Sequence, residues 1–246
     1  MAQELVSGYN RRYLSSRCAI KVDIMKAFDS VNWRYLFFMM SAMGFPATFL
    51  KWIRSCLQTA HYSINVNGSL CGFFKARKGV RQGDPLSPYL FTIAMEGLST
   101  MLTEAGQSGV LPFHPLCKRV ALNHLCFADD LLIFTKGSAQ AIMQVKVILQ
   151  RFHQISGLNS NPAKCEIYFG GDSILYKTNA LSLTRFKEGK LPVRYLGLPL
   201  LSGKLSSVEI DSLVDKITKR IKSWQAKKLS YAGRLQLLNS VLLGVV

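Results

Sequence analysis

Two adjacent aspartates, Asp129 and Asp130, lie inside the apolar run HLCFADDLLIF. Burying an ionised carboxylate costs several kcal/mol unless it is paired or coordinates a cation. The flanking residues favour strands, so the run predicts a strand over Val120–Phe127, a tight turn, and a second strand over Leu131–Thr135. Such a hairpin exposes both aspartates at the edge of an antiparallel sheet. Because aspartate is common in ordinary turns, the pair alone does not distinguish a site from a turn.

A third aspartate, Asp23, ends another strand-like run, CAIKVD, more than a hundred residues earlier. If that strand lies beside the hairpin, three carboxylates meet at one end of the sheet, where they repel one another without a cation. Mg²⁺ prefers a few carboxylates together with substrate phosphates, and two such ions about 3.5 to 4 Å apart can clamp a phosphoryl transfer. Asp23 could instead cap the following helix. Asp29 could also fill that role, and we do not assign it to a metal.

The remaining patterns predict an α+β fold with antiparallel strands and segregated helices. Asn67-Gly68 predicts a type I′ turn within the hairpin HYSINVNGSLCGFFKA. The other predicted elements are helices at Val31–Met43, Ala47–Ala60, Ser87–Glu104 (with Ser87 as N-cap), Ala139–Ile155 (ended by Gly157), Ser207–Ala226 and Tyr231–Val245, and short strands at Glu166–Phe169 and Arg194–Leu198. The sequence becomes more basic and helical near Gly203, which predicts a boundary between residues 1–202 and 203–246.

The overall charge is strongly positive, with a formal net charge of +17 and an isoelectric point near 9.8. Such a protein usually binds a polyanion, and a phosphate backbone is the commonest one. A basic protein without any ligand is the alternative. The N-terminus has no apolar segment typical of a signal peptide, and the apolar runs are far short of the roughly 20 residues that a membrane span needs. We therefore expect an intracellular protein that is not inserted in a membrane.

Five segments occur in an order that resembles a known family. KVDIMKAFDSVNW, GVRQGDPLSPYLF, FADD, SGLNSNPAKCE and YLGLPL resemble motifs A, B, C, D and E of reverse transcriptases from LINE-type (non-LTR) retrotransposons, most of all the plant ones. The resemblance extends over roughly Glu4 to Val246. It implies a right-hand polymerase fold, in which the palm is an antiparallel sheet with helices packed on one face. Residues 1–202 would form this palm with partial fingers, and residues 203–246 the start of a basic helical thumb.

The resemblance also implies an activity, that of an RNA-directed DNA polymerase. Such an enzyme extends a DNA primer on an RNA template with dNTPs, using two Mg²⁺ ions for which Mn²⁺ can substitute. Carried over residue by residue, Asp23 and Asp129 would bind both ions and Asp130 would support them. The backbone carbonyl of Ile24 would be a further ligand. Phe28 would exclude a ribose 2′-hydroxyl; alternatively it is an aromatic residue of the core.

Other segments receive roles from the same resemblance. Arg81 and Gln82 would line the nucleotide and template pocket, where Gly83 allows a close approach of the backbone to a ligand. Lys164 could give a proton to the leaving pyrophosphate, or it could be a solvated surface lysine. Tyr195 to Leu200 would form the primer grip.

The resemblance further implies that more of the fingers, with residues that hold the triphosphate, and an endonuclease belong upstream. We therefore expect a partial domain, and catalysis needs positioning as well as metals. Three hypotheses follow: an active polymerase, a catalytically inactive remnant that only binds nucleic acid, and a maturase-like protein that binds structured RNA. A nuclear location is implied because the family acts on chromosomal DNA.

Overall fold

A computed structural model describes residues 1–11, 13–171, 174–196 and 198–203, and beyond these residues 211, 214, 215, 217–219, 221, 222 and 230–237. The chain divides into two compact units, Met1–Ser202 and Gly203–Val246. The assignment of these parts to palm with partial fingers and to thumb stays a prediction.

The first unit contains nine strands and seven helices among its described residues. The strands are β1 (Arg17–Val22), β2 (His61–Val66), β3 (Ser69–Lys75), β4 (His124–Phe127), β5 (Asp130–Lys136), β6 (Glu166–Gly170), β7 (Lys187–Glu188), β8 (Val193–Tyr195) and β9 (Leu198–Leu200). The helices are α1 (Ala2–Val6), α2 (Ala27–Ser30), α3 (Trp33–Ala42), α4 (Ala47–Gln58), α5 (Ser87–Gln107), α6 (Ala139–Ser156) and α7 (Ile174–Thr184).

The main sheet has the strand order β4-β5-β1-β6-β7, so β1 lies at its centre. β1 is antiparallel to both neighbours, with Val22 opposite Leu131 in β5 and Ile20 opposite Ile167 in β6. The β6–β7 pair is parallel. A central strand is expected to bury both faces, and five of the six residues of β1 are buried.

One face of the sheet is covered by helices. Cys18, Ile20 and Val22 of β1 join a core with the buried faces of α3, α5 and α6. The largest fully buried side chains there include Phe91 and Phe152. The other face carries a smaller core, in which Ala19 packs with Tyr168, Tyr195, Leu200 and residues of α1. The predicted α+β class, an antiparallel-rich sheet with helices packed on one face, is confirmed, and the five-residue α1 lies on the opposite face.

The β2–β3 hairpin forms a separate two-stranded sheet. Asn67 and Gly68 both have positive φ angles, +50° and +86°, which confirms the predicted type I′ turn. Every residue of β3 is exposed, so the hairpin contributes little to the core.

Several predicted boundaries differ from the structure. The predicted N-cap of α5 was wrong: the cap is Leu86, and Ser87 is buried as the first helical residue. The turn is held instead by Asp84, whose carboxylate accepts a hydrogen bond from the backbone N–H of Leu86 at 2.9 Å. The single strand predicted at Arg194–Leu198 is a hairpin of two short strands, β8 and β9. Gly157, with φ +77°, ends α6 as predicted.

The second unit contains the helix α8 (Tyr231–Leu237). The helix predicted over Ser207–Ala226 lies largely outside the described residues, as does the end of the one predicted to reach Val245. Within the part of the chain that the structure describes, no helix is long and apolar enough to cross a membrane.

The contact between α3 and α5 gives a test of the fold. Tyr35 of α3 donates a hydrogen bond from its hydroxyl to the carbonyl of Ala94 at 2.8 Å, and a Cβ at Gly97 would overlap that hydroxyl. We expect Gly97→Ala to lower the free energy of unfolding by about 1–3 kcal/mol, because overpacking outweighs the better helix propensity of alanine. Urea denaturation measures this loss.

Tyr35→Phe provides the matched background, since it removes the oxygen with which the new methyl group collides. The cost of Gly97→Ala should be smaller in that background than in the unmodified chain. Equal costs in both backgrounds would mean that the hydroxyl does not set the distance between the two helices.

Candidate active site

The three predicted catalytic aspartates lie at the same end of the central strands of the main sheet, where β1 ends and β5 begins. Asp23 directly follows β1, and continuing the register in which Val22 faces Leu131 puts Asp23 beside Asp130, the first residue of β5. Asp129 precedes it in the tight turn between β4 and β5, where Phe127 pairs with Asp130 and Ala128 has a φ of +51°. Strand pairing thus brings together two segments that are far apart in sequence.

The aspartate edge, meaning Asp23, Asp129 and Asp130, carries uncompensated negative charge. Asp129 is exposed and the other two are half-buried. The ion pairs among the described residues are Met1 with Glu4 and Lys177 with Glu188, so none of these aspartates forms an ion pair with a described cation. Burial first, and then the charge of Asp129, raise the pKa of the Cys126 thiol to about 11. This charge favours a bound cation.

The carboxylates share the edge without forming a closed ligand cluster. Among the residues that the structure describes, no three His, Cys, Asp or Glu side chains form a group arranged to hold a metal ion. The donors present at the edge are nevertheless hard oxygens, which suit Mg²⁺ or Mn²⁺. The ligand set of Asp23, Ile24, Asp129 and Asp130 stays a prediction.

Ile24 has a backbone geometry suited to its predicted role. It forms a bridge with Ser160, in which Met25 N–H donates to the carbonyl of Asn159 at 2.8 Å and Asn161 N–H donates to the carbonyl of Asp23 at 2.8 Å. In this antiparallel pattern the bonds flank Ile24, whose own N–H and C=O point away from Ser160. The Ile24 carbonyl therefore points away from Ser160 and makes no hydrogen bond within this bridge.

Lys164 belongs to a loop that is bonded to the aspartate edge. Besides its bond to Asp23, Asn161 accepts a hydrogen bond at its carbonyl from Lys164 N–H at 3.0 Å. The Asn161 side chain accepts another from Ala163 N–H at 3.2 Å, which tightens the turn. The Lys164 side chain is exposed. The backbone near Lys164 is therefore anchored on Asp23, while its amine stays in solvent.

Phe28 lies between the aspartate edge and the glycine-rich loop 79–83. Its ring stacks on buried Phe91 with centroids 4.8 Å apart, so one face of the ring packs against the core. Its carbonyl accepts a hydrogen bond from Val80 N–H at 2.7 Å, and the Gly79 carbonyl accepts one from the Trp33 indole at 2.6 Å. A backbone hydrogen bond therefore connects Phe28 to loop 79–83, the two segments that were predicted to form a nucleotide pocket.

The other predicted pocket residues are exposed on this loop. Arg81 holds its guanidinium 5.6 Å from the ring centroid of Tyr62 in the β2–β3 hairpin. Gln82 and Gly83 are exposed, and Gly83 has a φ of +92° with open space where a Cβ would lie. The structure therefore places Arg81, Gln82 and Gly83 on the loop bonded to Phe28 and leaves their polar groups accessible.

Two residues near the edge were missed in the sequence. Lys21, two positions before Asp23, donates a hydrogen bond from its amine to the carbonyl of Arg194 at 3.0 Å and so ties the β8–β9 hairpin to β1. Cys126 of β4 donates a hydrogen bond from its thiol to the carbonyl of Ala128, in the turn before Asp129, at 3.5 Å. The pKa of Tyr195 is raised by burial, then by Cys126 and Asp130. The sequence signal that could have revealed Lys21 is its position as a charged residue inside the otherwise apolar run CAIKVD.

Comparison with known proteins identifies the family. A family model described as reverse transcriptase (RNA-dependent DNA polymerase) matches residues 3–200. The chain belongs to the reverse transcriptase family. Members of this family depend on a divalent metal. The fold also resembles that of the apo telomerase of Candida tropicalis truncated from its C-terminal domain, with a TM-score of 0.53 and 17% identity over 83% of this chain and 39% of that one.

The curated relatives are of the non-LTR retrotransposon kind, as the motifs predicted. The reverse transcriptase domain is 31% identical over 166 residues to the Pol polyprotein of the type-2 retrotransposable element R2DM of Drosophila melanogaster, covering 66% of this chain and 15% of that protein. It is 33% identical over 146 residues to the Pol polyprotein of a type-1 element R2 of Popillia japonica, covering 59% and 23%. The chain thus spans less than a quarter of the length of these two relatives.

Gly79 offers a test of how the loop docks beside Phe28. Gly79 and Gly83 have similar φ angles, +83° and +92°, but a Cβ at Gly79 would lie 2.7 Å from the Asp29 carbonyl, whereas Gly83 faces open space. We expect Gly83→Ala to cost about 1–2 kcal/mol from backbone strain alone. Gly79→Ala should cost more, by about 1–3 kcal/mol, because the loop must also shift.

Urea denaturation of both variants checks this difference, with Gly83→Ala as the control for strain. Equal losses would show that the loop does not lie against Asp29 as the structure describes.

Proposed function

We propose that this chain is the palm-centred part of an RNA-directed DNA polymerase of a non-LTR retroelement, which adds dNTPs to the 3′ end of a DNA primer on an RNA template. The observation that carries the proposal is the pairing of β1 with the β4–β5 hairpin, which gathers Asp23, Asp129 and Asp130 at one sheet edge. Family membership supports the same chemistry. A net charge of +17 suits a nucleic-acid partner.

Asp23, Asp129 and Asp130, with the Ile24 carbonyl, would hold two Mg²⁺ ions, for which Mn²⁺ could substitute. When bound, such ions would supply electrostatic stabilisation of the charge that develops on the transferred phosphoryl group. The fit is supported by the hard oxygen donors and by the lack of an ion pair between these aspartates and any described cation.

The protein's own residues would bind and select the nucleotide. Phe28, whose ring stacks on Phe91, would leave little room for a ribose 2′-hydroxyl, so the domain would prefer dNTPs. Arg81 and Gln82 would contact the nucleotide and template next to Gly83, which leaves the backbone accessible. The exposed Lys164 amine, carried by the loop bonded to Asp23, would donate a proton to the leaving pyrophosphate.

Two further parts of the proposal concern the protein around this edge. The β8–β9 hairpin, tied to β1 by Lys21, would hold the primer 3′ end as a primer grip. A nuclear location fits a family that acts on chromosomal DNA.

Primer extension with Asp129→Ala tests the function. On poly(rA)–oligo(dT) with Mg²⁺ or Mn²⁺, we expect the variant to lose synthesis by a factor of 10² or more, by analogy with loss of one electrostatic group at other active sites. Binding of the duplex, measured by fluorescence anisotropy, should be largely unchanged. Asp211→Ala, which removes an exposed aspartate of the second unit, is the control and should extend normally.

Equal synthesis by Asp129→Ala and the unmodified chain would contradict the metal assignment. Duplex binding without any metal-dependent extension by the unmodified chain would favour the alternative, a catalytically inactive protein that only binds nucleic acid.

Phe28→Val tests sugar selection. The smaller side chain opens space beneath the sugar, so we expect the ratio of kcat/KM for dNTP to that for rNTP to fall at least 10-fold. Because Phe28 also stacks on Phe91, a loss of thermal stability is expected as well.

Phe91→Leu separates the two effects, since it removes the stack from the core side without touching the sugar. It should lower stability and leave the dNTP-to-rNTP ratio nearly unchanged. If both variants leave the ratio unchanged, Phe28 is a core residue only.

A further inference from the structure

Within the described part of the chain, the β8–β9 hairpin is joined to the main sheet by side chains rather than by strand pairing. It forms a two-stranded sheet of its own, whereas β1 pairs with β5 and β6. Tyr195 and Leu200 of the hairpin are buried in the smaller core, together with Ala19 of β1 and Leu132 of β5. Apolar burial is non-directional, so this packing keeps the hairpin on the sheet without fixing its position along it.

One hydrogen bond fixes the first strand of the hairpin. Arg194 of β8 lies opposite Pro199 of β9, which has no N–H to give to the ladder. Because antiparallel pairs alternate between hydrogen-bonded and non-hydrogen-bonded positions, Arg194 occupies a non-hydrogen-bonded position and its carbonyl points outward from the hairpin. Lys21 of β1 donates a hydrogen bond from its amine to that carbonyl at 3.0 Å. The lysine thus supplies the bond that a third strand would otherwise have made.

A second side chain, that of Gln3 in α1, fixes the end of the other strand. Its Nε2 donates a hydrogen bond to the carbonyl of Leu201 at 2.9 Å, and its Oε1 accepts one from the N–H of the same residue at 2.9 Å. Leu201 directly follows β9, so the Gln3 amide satisfies both of its backbone groups as a neighbouring strand would. The Gly8 N–H donates a further bond to the Ser202 carbonyl at 2.7 Å. The N-terminal segment therefore holds two successive residues after β9.

Both anchors belong to the part of the fold that carries the aspartate edge. Lys21 comes two residues before Asp23, so the alternation of β1 puts both residues on the same face of the sheet. α1 packs into the smaller core, which also contains Leu132, two residues after Asp130. A shift of the hairpin along the sheet would break the bonds of Lys21 and Gln3, because hydrogen bonds weaken steeply when their distance or angle is lost.

We propose that Lys21 and Gln3 are positioning residues, which hold the β8–β9 hairpin so that a primer 3′ end bound there lies at the aspartate edge. This role rests on the proposed polymerase function. Neither side chain touches the reacting atoms, and both act through the backbone of the hairpin. Misplacing a reacting group by about 1 Å can cost roughly 100-fold in rate. Loss of an anchor should therefore slow the chemical step more than it weakens binding of the primer–template duplex.

Lys21→Met and Lys21→Arg in the full chain test the first anchor, because methionine has no donor and arginine keeps one. Lys136→Met is the matched control, since it removes an exposed lysine from the far end of the neighbouring strand β5. In primer extension on poly(rA)–oligo(dT), we expect Lys21→Met to lower kcat about 10-fold or more, with KM for dTTP and duplex affinity changed by less than about twofold. Lys21→Arg and Lys136→Met should keep kcat within about threefold of the unmodified chain.

Photocrosslinking measures the placement of the primer without any synthesis. A bound duplex whose primer ends in 4-thiothymidine is irradiated, and the crosslinked peptides are identified by mass spectrometry. We expect crosslinks to the β8–β9 hairpin in the unmodified chain and in Lys21→Arg, and a yield lower by about fivefold or more in Lys21→Met. No crosslinks to the hairpin, or an equal yield in Lys21→Met, would overturn the proposal. Crosslinks that depend on Lys21, without synthesis by the unmodified chain, would support the positioning role and contradict the polymerase function.

Gln3→Met tests the second anchor, with Glu4→Met at the next, exposed position of α1 as its control. Hydrogen exchange read by mass spectrometry should show the Leu201 amide exchanging about fivefold faster or more in Gln3→Met, and within about twofold of the unmodified rate in Glu4→Met. The crosslink yield at the hairpin should fall in Gln3→Met as well. Faster exchange with an unchanged crosslink yield would show that Gln3 only supports the fold, and would overturn its positioning role. Circular dichroism would show that each variant is folded.

Discussion

Strand β1 is hydrogen-bonded along both edges, and both the aspartate turn and the Lys164 loop are attached to it or to the residue that follows it. Its β5 side brings in the turn with Asp129 and Asp130, and its β6 side leads into the loop with Lys164, which is bonded to the Asp23 carbonyl. A shift of one residue in either pairing would turn the side chains of β1 to the opposite faces of the sheet. The burial of both faces of β1 therefore fixes the register, and the register fixes which carboxylates meet.

The alternation of side chains along β1 connects the core to the site. Cys18, Ile20 and Val22 anchor one face on α3, α5 and α6, while Ala19 packs on the other face. Lys21 interrupts that second face, and its amine reaches the carbonyl of Arg194. The end of β1 thus positions Asp23 at the aspartate edge, and the side chain of Lys21, two residues earlier, holds the β8–β9 hairpin. A rigid element that holds several functional groups reduces the reorganisation that catalysis would need.

Charge is distributed unevenly around this frame. The aspartate edge has no described basic partner, whereas the hairpin between α4 and the glycine-rich loop is basic and free of carboxylates. The two surfaces meet at the loop 79–83, which is bonded to Phe28 on one side and carries Arg81 over Tyr62 on the other. A negative edge favours a bound cation, whereas a positive surface favours phosphate groups.

The sequence by itself determined the family, the α+β class and the residues of the aspartate edge, because each rests on local signals. Strand runs that end in aspartate, the Asn67-Gly68 turn and the Gly157 helix stop all depend on neighbouring residues only. The tertiary structure alone decided that Phe28 stacks on Phe91. It also decided that Lys21 reaches the β8–β9 hairpin and that the Arg81 guanidinium lies over the Tyr62 ring. These contacts join residues distant in sequence, and their geometry depends on how the sheet packs rather than on any local pattern.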